Sequence, residues 1–297
     1  EKGALAIVTN QKTDYKNHRA HFILVKDIRK NLSKACSNFY KQKPKKIIAV
    51  TGTNGKSSVA DFFYQILNIN KIPVGSIGTL GIISKKYKKK TSLTSLDPLT
   101  LHMNLQRLKI NKIEHVILEA SSHGLEQKRL DDLNINIGIF TNFSQDHLDY
   151  HKNMKSYFNA KMYLFKSLLN NQSKIITDRD IQNFKVIKNI ANSRKIELKT
   201  IGLKKGNIRV LENKYEENKQ IVRVLVNSKI YIIDVSLIGY FQIKNLLMAI
   251  LAANYCGLSY KKIFSKINKI IPVSGRLEYI AKLSNNSSII IDFAHTP

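Results

Sequence analysis

Ile47-Ile48-Ala49-Val50-Thr51-Gly52-Thr53-Asn54-Gly55-Lys56-Ser57-Ser58-Val59 decides the fold. An apolar run of strand character enters a glycine-bracketed turn and a helical pattern leaves it, which is the order of a nucleotide phosphate cradle. Gly52 and Gly55 let the backbone aim its N–H groups inward, Lys56 can reach β- and γ-phosphates, and Ser57 offers a hydroxyl to Mg2+. The helix that follows adds its positive end. The widespread phosphate-loop pattern has a further glycine where this chain has Val50, so the likeness lies in the strand, turn and helix rather than in the full string.

Outward from this stretch, β-rich runs alternate with amphipathic helical patterns, which predicts an α/β protein with a mostly parallel, helix-covered sheet. His21 to Val25 reads as a strand and Asp27 to Tyr40 as a helix, and the polar segment Lys41 to Lys46 sets a boundary near residue 44. Strands follow at 47–50, 115–119 and 135–140, with helices at 57–69, at Pro98 to Lys109 behind the capping Asp97, and from about Ser156 to Leu169. From residue 208 the pattern turns to β-rich runs, with a hairpin across Asn227-Ser228. Helices are predicted at about 242–255 and 260–269, a break at Pro272, and a last hairpin around Asn285-Asn286.

At 297 residues, 43% hydrophobic and 24% charged, the chain has the composition of a soluble globular protein with room for about two domains. Its longest apolar run, Leu246 to Ala253, falls short of the ~20 residues that span a bilayer, so no membrane insertion is expected. Cys36 and Cys256 lie far apart without metal-type spacing, which fits a reducing compartment and inert thiols. The net charge of +28 and the run Lys85-Lys86-Tyr87-Lys88-Lys89-Lys90 raise the question of nucleic acid. Lysine is spread through almost every segment, however, as a general compositional bias would spread it, and no nucleic-acid partner is expected. The chain opens on Glu1-Lys2-Gly3 and stops just after a strand-like run, so a fragment at both ends is expected.

Glu119 ends the run His115-Val116-Ile117-Leu118, where a parallel sheet presents residues to the crevice beyond its strand ends, and a carboxylate there can bind Mg2+. His147 follows the run Ile135 to Phe140 closely enough to reach the same crevice.

Five strings together resemble the Mur ligase family: Thr51-Gly52-Thr53-Asn54-Gly55-Lys56-Ser57, Glu119-Ala120-Ser121-Ser122-His123-Gly124-Leu125, Thr141-Asn142, Asp146-His147-Leu148-Asp149-Tyr150-His151 and Asp292-Phe293-Ala294-His295-Thr296-Pro297. The resemblance runs in matching order from about Ala4 to Pro297, and the Ser-Ser-His-Gly-Leu and Asp-His-Leu-Asp-Tyr-His strings point to the member that adds the third residue of the peptidoglycan stem. It implies ATP and Mg2+ as cofactors. Gly52, Thr53, Asn54, Gly55, Lys56, Ser57, Ser58 and Asn142 would hold phosphates, and Asn245, Arg276, Asp292 and His295 would stand at the nucleotide end. Ser57 and Glu119 would bind one metal ion, and His147 would help hold a second. Lys161 matches the family lysine that carries a carbamate, whose hard oxygens suit Mg2+ as an ammonium cannot. Lys56, His147 and Lys161 are thereby the catalytic candidates.

Thr94 and Ser95 occupy the place of paired threonines that contact a UDP-sugar dipeptide, and Ser122 and Arg129 match further substrate positions. The sequence departs from the family at Ser95-Leu96, in place of Thr-Pro, and at Gln242, in place of an adenine-contacting Asn. The implied reaction is amide formation through an acyl phosphate, with UDP-N-acetylmuramoyl dipeptide and a diamino acid, meso-diaminopimelate ahead of L-lysine, as substrates. The implied protein is cytoplasmic and monomeric. Residues 1–44 would end a UDP-substrate domain, 45–272 form the ATP-binding domain, and 273–297 begin a ligase domain. Without most of that last domain the chain is expected to keep nucleotide or UDP-substrate affinity but to catalyse no ligation. A folylpolyglutamate synthetase-like ligase and a nucleic-acid-binding ATPase are the rival readings.

Overall fold

The computed structural model describes residues 3–11, 20–216, 219–285 and 287–294. The chain begins with β1 (Ala6–Thr9), β2 (His21–Leu24), α1 (Ile28–Phe39), β3 (Lys46–Thr51), α2 (Lys56–Ile69), β4 (Val74–Gly78), β5 (Gly81–Ser84) and β6 (Tyr87–Lys89). Its middle holds α3 (Pro98–Ile110), β7 (His115–Glu119), α4 (Ser122–Glu126), β8 (Ile135–Phe140), α5 (Leu148–His151), α6 (Met154–Tyr163) and β9 (Leu169–Asp178). Then come α7 (Phe184–Ser193), β10 (Glu197–Gly202), β11 (Ile208–Glu216), β12 (Lys219–Val226), β13 (Lys229–Val235), α8 (Tyr240–Tyr255), α9 (Tyr260–Phe264), β14 (Glu278–Lys282) and β15 (Ser288–Ile291).

One sheet runs in the order β13-β12-β11-β10-β9-β8-β3-β7-β4-β5-β6. It is parallel from β11 to β4, with antiparallel strands added at both edges. The reason is visible in β3. Ile48 and Val50 pack with α2 and α8 on one face, whereas Ile47 and Ala49 pack with α3, α4 and α7 on the other. A strand covered on both faces must be apolar at every position rather than at alternate ones. The β-rich segment after residue 208 continues this sheet, with β12 and β13 forming the hairpin expected across Asn227-Ser228.

Helix boundaries follow local chemistry. Asp97 caps α3 by accepting from the Thr100 N–H at 3.0 Å, with Pro98 in the first turn, and Asp27 caps α1 in the same way through Lys30. The helix expected to run to Leu169 instead ends at Tyr163 and widens through a π-helical turn, Leu164–Leu168, into β9. The helix expected over 260–269 divides into α9 and a 3-10 turn at Ile267–Lys269. Helix α1 packs on α3, and its Ser33 Oγ donates to the carbonyl of Asp131, in the loop before β8, at 2.7 Å.

His102 on α3 is fully buried, and burial, with Lys43 adding to it, pushes its pKa down to about 4. The unfolded chain therefore holds a proton between about pH 6.5 and 4 that the folded chain refuses, and stability falls as pH drops through that window. A shift of this size corresponds to about 3 kcal/mol. Urea titrations at pH 7 and pH 4 should show His102→Met losing less stability than the parent chain across the interval.

Candidate active site

Strands β8, β3 and β7 are neighbours and parallel, so Phe140, Thr51 and Glu119 end along one edge. The crevice beyond such ends is where open α/β sheets bind ligands. Val50 is still inside β3, paired with Glu119 and Ile139, which explains why glycine is not needed there. Gly52 is needed. It has φ +152°, and a Cβ on it would stand 1.9 Å from Thr141 Oγ1 and 3.1 Å from the Asn142 backbone N. Gly55, at φ +85°, would meet Asn245 Oδ1 at 2.6 Å. The turn is pinned by Asn142, whose Oδ1 accepts from the Asn54 N–H at 2.9 Å and whose carbonyl accepts from the Thr53 N–H at 3.0 Å. Helix α2 then starts at Lys56, and its first-turn N–H groups have no intrahelical acceptor.

A cleft of about 280 Å3 opens on this turn, walled by residues 53–58, Thr79, Thr94, Glu119, Asp146, His147 and Arg276 among others. Within it, Ser57 Oγ donates to Glu119 Oε2 at 2.9 Å. Glu119 is held from the other side by Thr79, whose N–H donates to Oε1 at 2.8 Å and whose hydroxyl donates to Oε2 at 3.1 Å. Among the described residues no cluster of three or more His, Cys, Asp or Glu side chains could cage a metal. A hydroxyl and one carboxylate nevertheless fit Mg2+, which keeps several waters and takes its remaining oxygens from substrate phosphates. Gly78 sets the position of this acid, because a Cβ there would lie 2.2 Å from Glu119 Oε1. Gly78→Ala should therefore weaken Mg2+-dependent nucleotide binding about tenfold while leaving metal-free binding alone, as titrations with and without EDTA would show.

His147 reaches the cleft from a left-handed backbone position, φ +50°. Its Nε2 lies 3.4 Å from Asp146 Oδ2, and its ring packs edge-on to His123 with centroids 4.9 Å apart. Burial lowers its pKa against the opposing pull of Asp146, which favours a neutral imidazole with a nitrogen lone pair to offer.

Two lysines share one acceptor. Lys56 Nζ donates to the carbonyls of Gly52 at 3.0 Å and Thr53 at 2.7 Å, and Lys161 Nζ donates to the same Gly52 carbonyl at 2.7 Å. Lys161 is 1% exposed and sits behind the turn rather than on the cleft wall, with its Nζ 4.3 Å from the Tyr157 ring centroid. Burial first, and the Lys56 charge second, hold its pKa well below the ordinary lysine value. Lys56 is lowered as well, by burial, with Glu119 and Asp146 opposing.

A second cleft of about 430 Å3 adjoins the first through Asn54, Gly55, Ser58, Arg276 and Phe293, and its own walls include Asn142, Gln242, Asn245 and Asp292. Gln242 is buried and spans two neighbours: its Oε1 accepts from Asn245 at 3.2 Å and its Nε2 donates to the Arg276 carbonyl at 3.3 Å. Arg276 approaches Ser57 Oγ at 3.5 Å and lies 5.3 Å from the Phe293 ring centroid. Asp292 Oδ1 accepts from the Leu277 N–H at 3.1 Å. His295 lies outside the described residues.

On the far side, Thr94 shares a hydroxyl contact of 3.2 Å with Thr79. Ser95 is buried, its hydroxyl donating to the Glu119 carbonyl and accepting from the Ser121 N–H, both at 2.8 Å, so it fastens the strand end that carries the acid. Ser122 Oγ is buried without a hydrogen-bond partner. Arg129 donates to the Ser95 carbonyl at 2.7 Å and forks onto Gln127 Oε1, with Gln127 held in turn by the Tyr150 hydroxyl it donates to at 3.0 Å. Sequence reasoning passed over Thr79, Gln127 and Phe293. The one signal for Thr79 was its place after Gly78 at the end of the short strand-like stretch Val74-Gly75-Ser76-Ile77.

The sheet order, the glycine-framed turn and the lysine and hydroxyl beside it define an α/β protein of phosphate-loop type. The Mur ligase middle domain pattern matches residues 50–253. A UDP-N-acetylmuramoyl-L-alanyl-D-glutamate--2,6-diaminopimelate ligase from Rickettsia bellii is 38% identical over 301 aligned positions, covering all of this chain and 62% of the relative. The enzyme of the same name from Rhizobium meliloti is 36% identical, again over the whole chain and 61% of the relative. A solved structure of an enzyme of that name superposes with a TM-score of 0.85 at 26% identity, covering 99% of this chain and 60% of that one. An FPGS-AMPPCP complex shares the fold alone, with a TM-score of 0.71 at 17% identity over 91% of this chain and 74% of that one. The chain belongs to the Mur ligase family. It spans about 60% of the length of the curated relatives it matches.

Proposed function

We propose that this chain is the ATP-binding part of a cytoplasmic ligase that joins meso-diaminopimelate to UDP-N-acetylmuramoyl-L-alanyl-D-glutamate. The observation that carries the reading is the meeting of Lys56, Ser57 and Glu119 on one cleft beside an α-helix N-terminus. Residues 1–44 close a UDP-substrate domain, 45–272 bind the nucleotide, and 273–297 open the ligase domain.

In this reading the substrate carboxylate attacks the γ-phosphate of ATP, ADP leaves, and the acyl phosphate is taken by the incoming amine with release of phosphate. Lys56 leaves the Gly52 and Thr53 carbonyls for phosphate oxygens and stabilises charge as it develops on the transferring group. The α2 N–H groups and the pinned turn fix the triphosphate in line with its acceptor. Ser57 and Glu119 would hold Mg2+, which supplies neutralisation of phosphate charge. His147 would help hold a second ion. Arg276, Asn245, Asp292 and His295 serve the nucleotide end, and Gln242 orders Asn245 and Arg276. Thr94, Ser122 and Arg129 face the UDP-substrate, with Ser122 Oγ spare for a bond and Arg129 suited to an anion.

Lys161 is the site of a carbamate. Its depressed pKa leaves a neutral amine able to attack CO2, and the anionic product would turn its repulsion from Lys56 into attraction.

The test is ATP turnover by the full-length protein with UDP-N-acetylmuramoyl dipeptide plus meso-diaminopimelate, L-lysine, a folate or DNA as the added partner. Turnover with dipeptide and meso-diaminopimelate is expected. Stimulation by folate or DNA alone would overturn the reading.

A further inference from the structure

A cavity of about 740 Å3 lies at the opposite edge of the sheet from the active cleft, where β4 begins at Val74 rather than where it ends beside Thr79. Its volume falls in the range of small-molecule sites. Val74, Leu108 and Ile113, all buried, supply apolar surface to its lining. Tyr87 stands at its side with the Arg107 guanidinium 4.7 Å from the ring centroid and donating to the phenol oxygen at 3.1 Å. This Tyr87 belongs to the basic run Lys85 to Lys90, which the active site leaves unused.

Charge on the lining is of one sign. Lys71, Lys85, Lys86, Arg107 and Lys112 contribute five cations, and no carboxylate is among the residues that line the cavity. Lys71 and Lys112, both at φ +62°, stand just past the ends of α2 and α3, whose carboxyl termini contribute about half a negative charge each. The local balance stays strongly positive. Neutralising two helix ends would call for Lys71 and Lys112. Arg107 needs no more than that either, since it stands in the last turn of α3, but Lys85 and Lys86 come from the β5–β6 turn and are left unaccounted for.

We propose that this cavity binds a small organic phosphate, with its apolar body against Val74, Leu108 and Ile113 and its phosphate among the lysines. The inference does not depend on the ligase reading, since the two sites share no residue.

Pyridoxal 5′-phosphate is a suitable probe: it carries an aromatic body and a phosphate, and borohydride traps it on the lysine it reaches. Peptide mapping of the reduced protein should place saturable label on Lys71, Lys85, Lys86 or Lys112, scored separately from any label on Lys56 or Lys161. Benzyl phosphate should displace it about tenfold better than inorganic phosphate, because only the former uses the apolar floor. The Arg107→Glu/Lys112→Glu pair should weaken labelling about tenfold. If that variant fails to fold, Lys85→Glu/Lys86→Glu on the exposed turn should do the same. Label spread over exposed lysines such as Lys229 and Lys282 in equal measure overturns the proposal, as does equal displacement by the two phosphates, which would mark an adventitious ion only.

Discussion

Lys56→Met is expected to lower the affinity of this chain for MgATP about 100-fold, since a lysine on phosphate oxygens makes charge-assisted bonds worth about 3 kcal/mol. The same substitution should leave the fold nearly untouched. Lys56 Nζ bonds only to the Gly52 and Thr53 carbonyls, and Gly52 keeps its bond from Lys161. Calorimetric titration and thermal melting separate the two effects: the variant should melt near the parent temperature yet lose the upward shift that MgATP gives the parent. Equal shifts in both proteins would remove Lys56 from the phosphate site.

Lys161→Met is the second large case, and its signature is in two parts. On the proposed reading, in which Lys161 carries a carbamate in a full-length ligase, the substitution should cut ligation about 1,000-fold, the scale on which removing preorganised electrostatic groups acts. Carbon-13 NMR of the parent in labelled bicarbonate should show a carbamate carbonyl that the variant lacks. The stability effect runs the other way. Burial and Lys56 lower the Lys161 pKa, so below 10.5 the unfolded chain holds a proton the folded chain has shed, and stability climbs with pH until the two states agree. In CO2-free buffer the variant escapes that slope. Its stability relative to the parent should be greatest at neutral and lower pH and shrink toward pH 10.5, as urea midpoints would reveal.

Much of the site was legible because it sits on sequence-local features. Ile47 to Thr51 is apolar at every position because both sheet faces are covered, and Gly52 and Gly55 mark a turn that a Cβ would obstruct. Glu119 and His147 could be placed in one crevice because parallel strands end on the same side. Other parts were not legible. Strands β4, β5 and β6 hold Gly75, Gly78 and Gly81 and a lysine-rich turn, which weaken the strand signal, and their pairing is antiparallel at an edge. Thr79 could not be singled out, because it braces Glu119 from the turn after β4, and the two residues are 40 apart in sequence.

By itself, then, the sequence determined the α/β class, the glycine-framed turn, the acid at the end of β7 and the imidazole in the segment after β8, since backbone periodicity, glycine sterics and strand direction are local or symmetric properties. Only the tertiary structure decided that Lys161 is buried against the Gly52 carbonyl, that Arg276 arrives beside Ser57 across 219 residues, and that Ser95 braces Glu119. In a chain with 49 lysines and arginines, which cations are desolvated and which meet is a matter of packing at long range. No nearest-neighbour pattern encodes that.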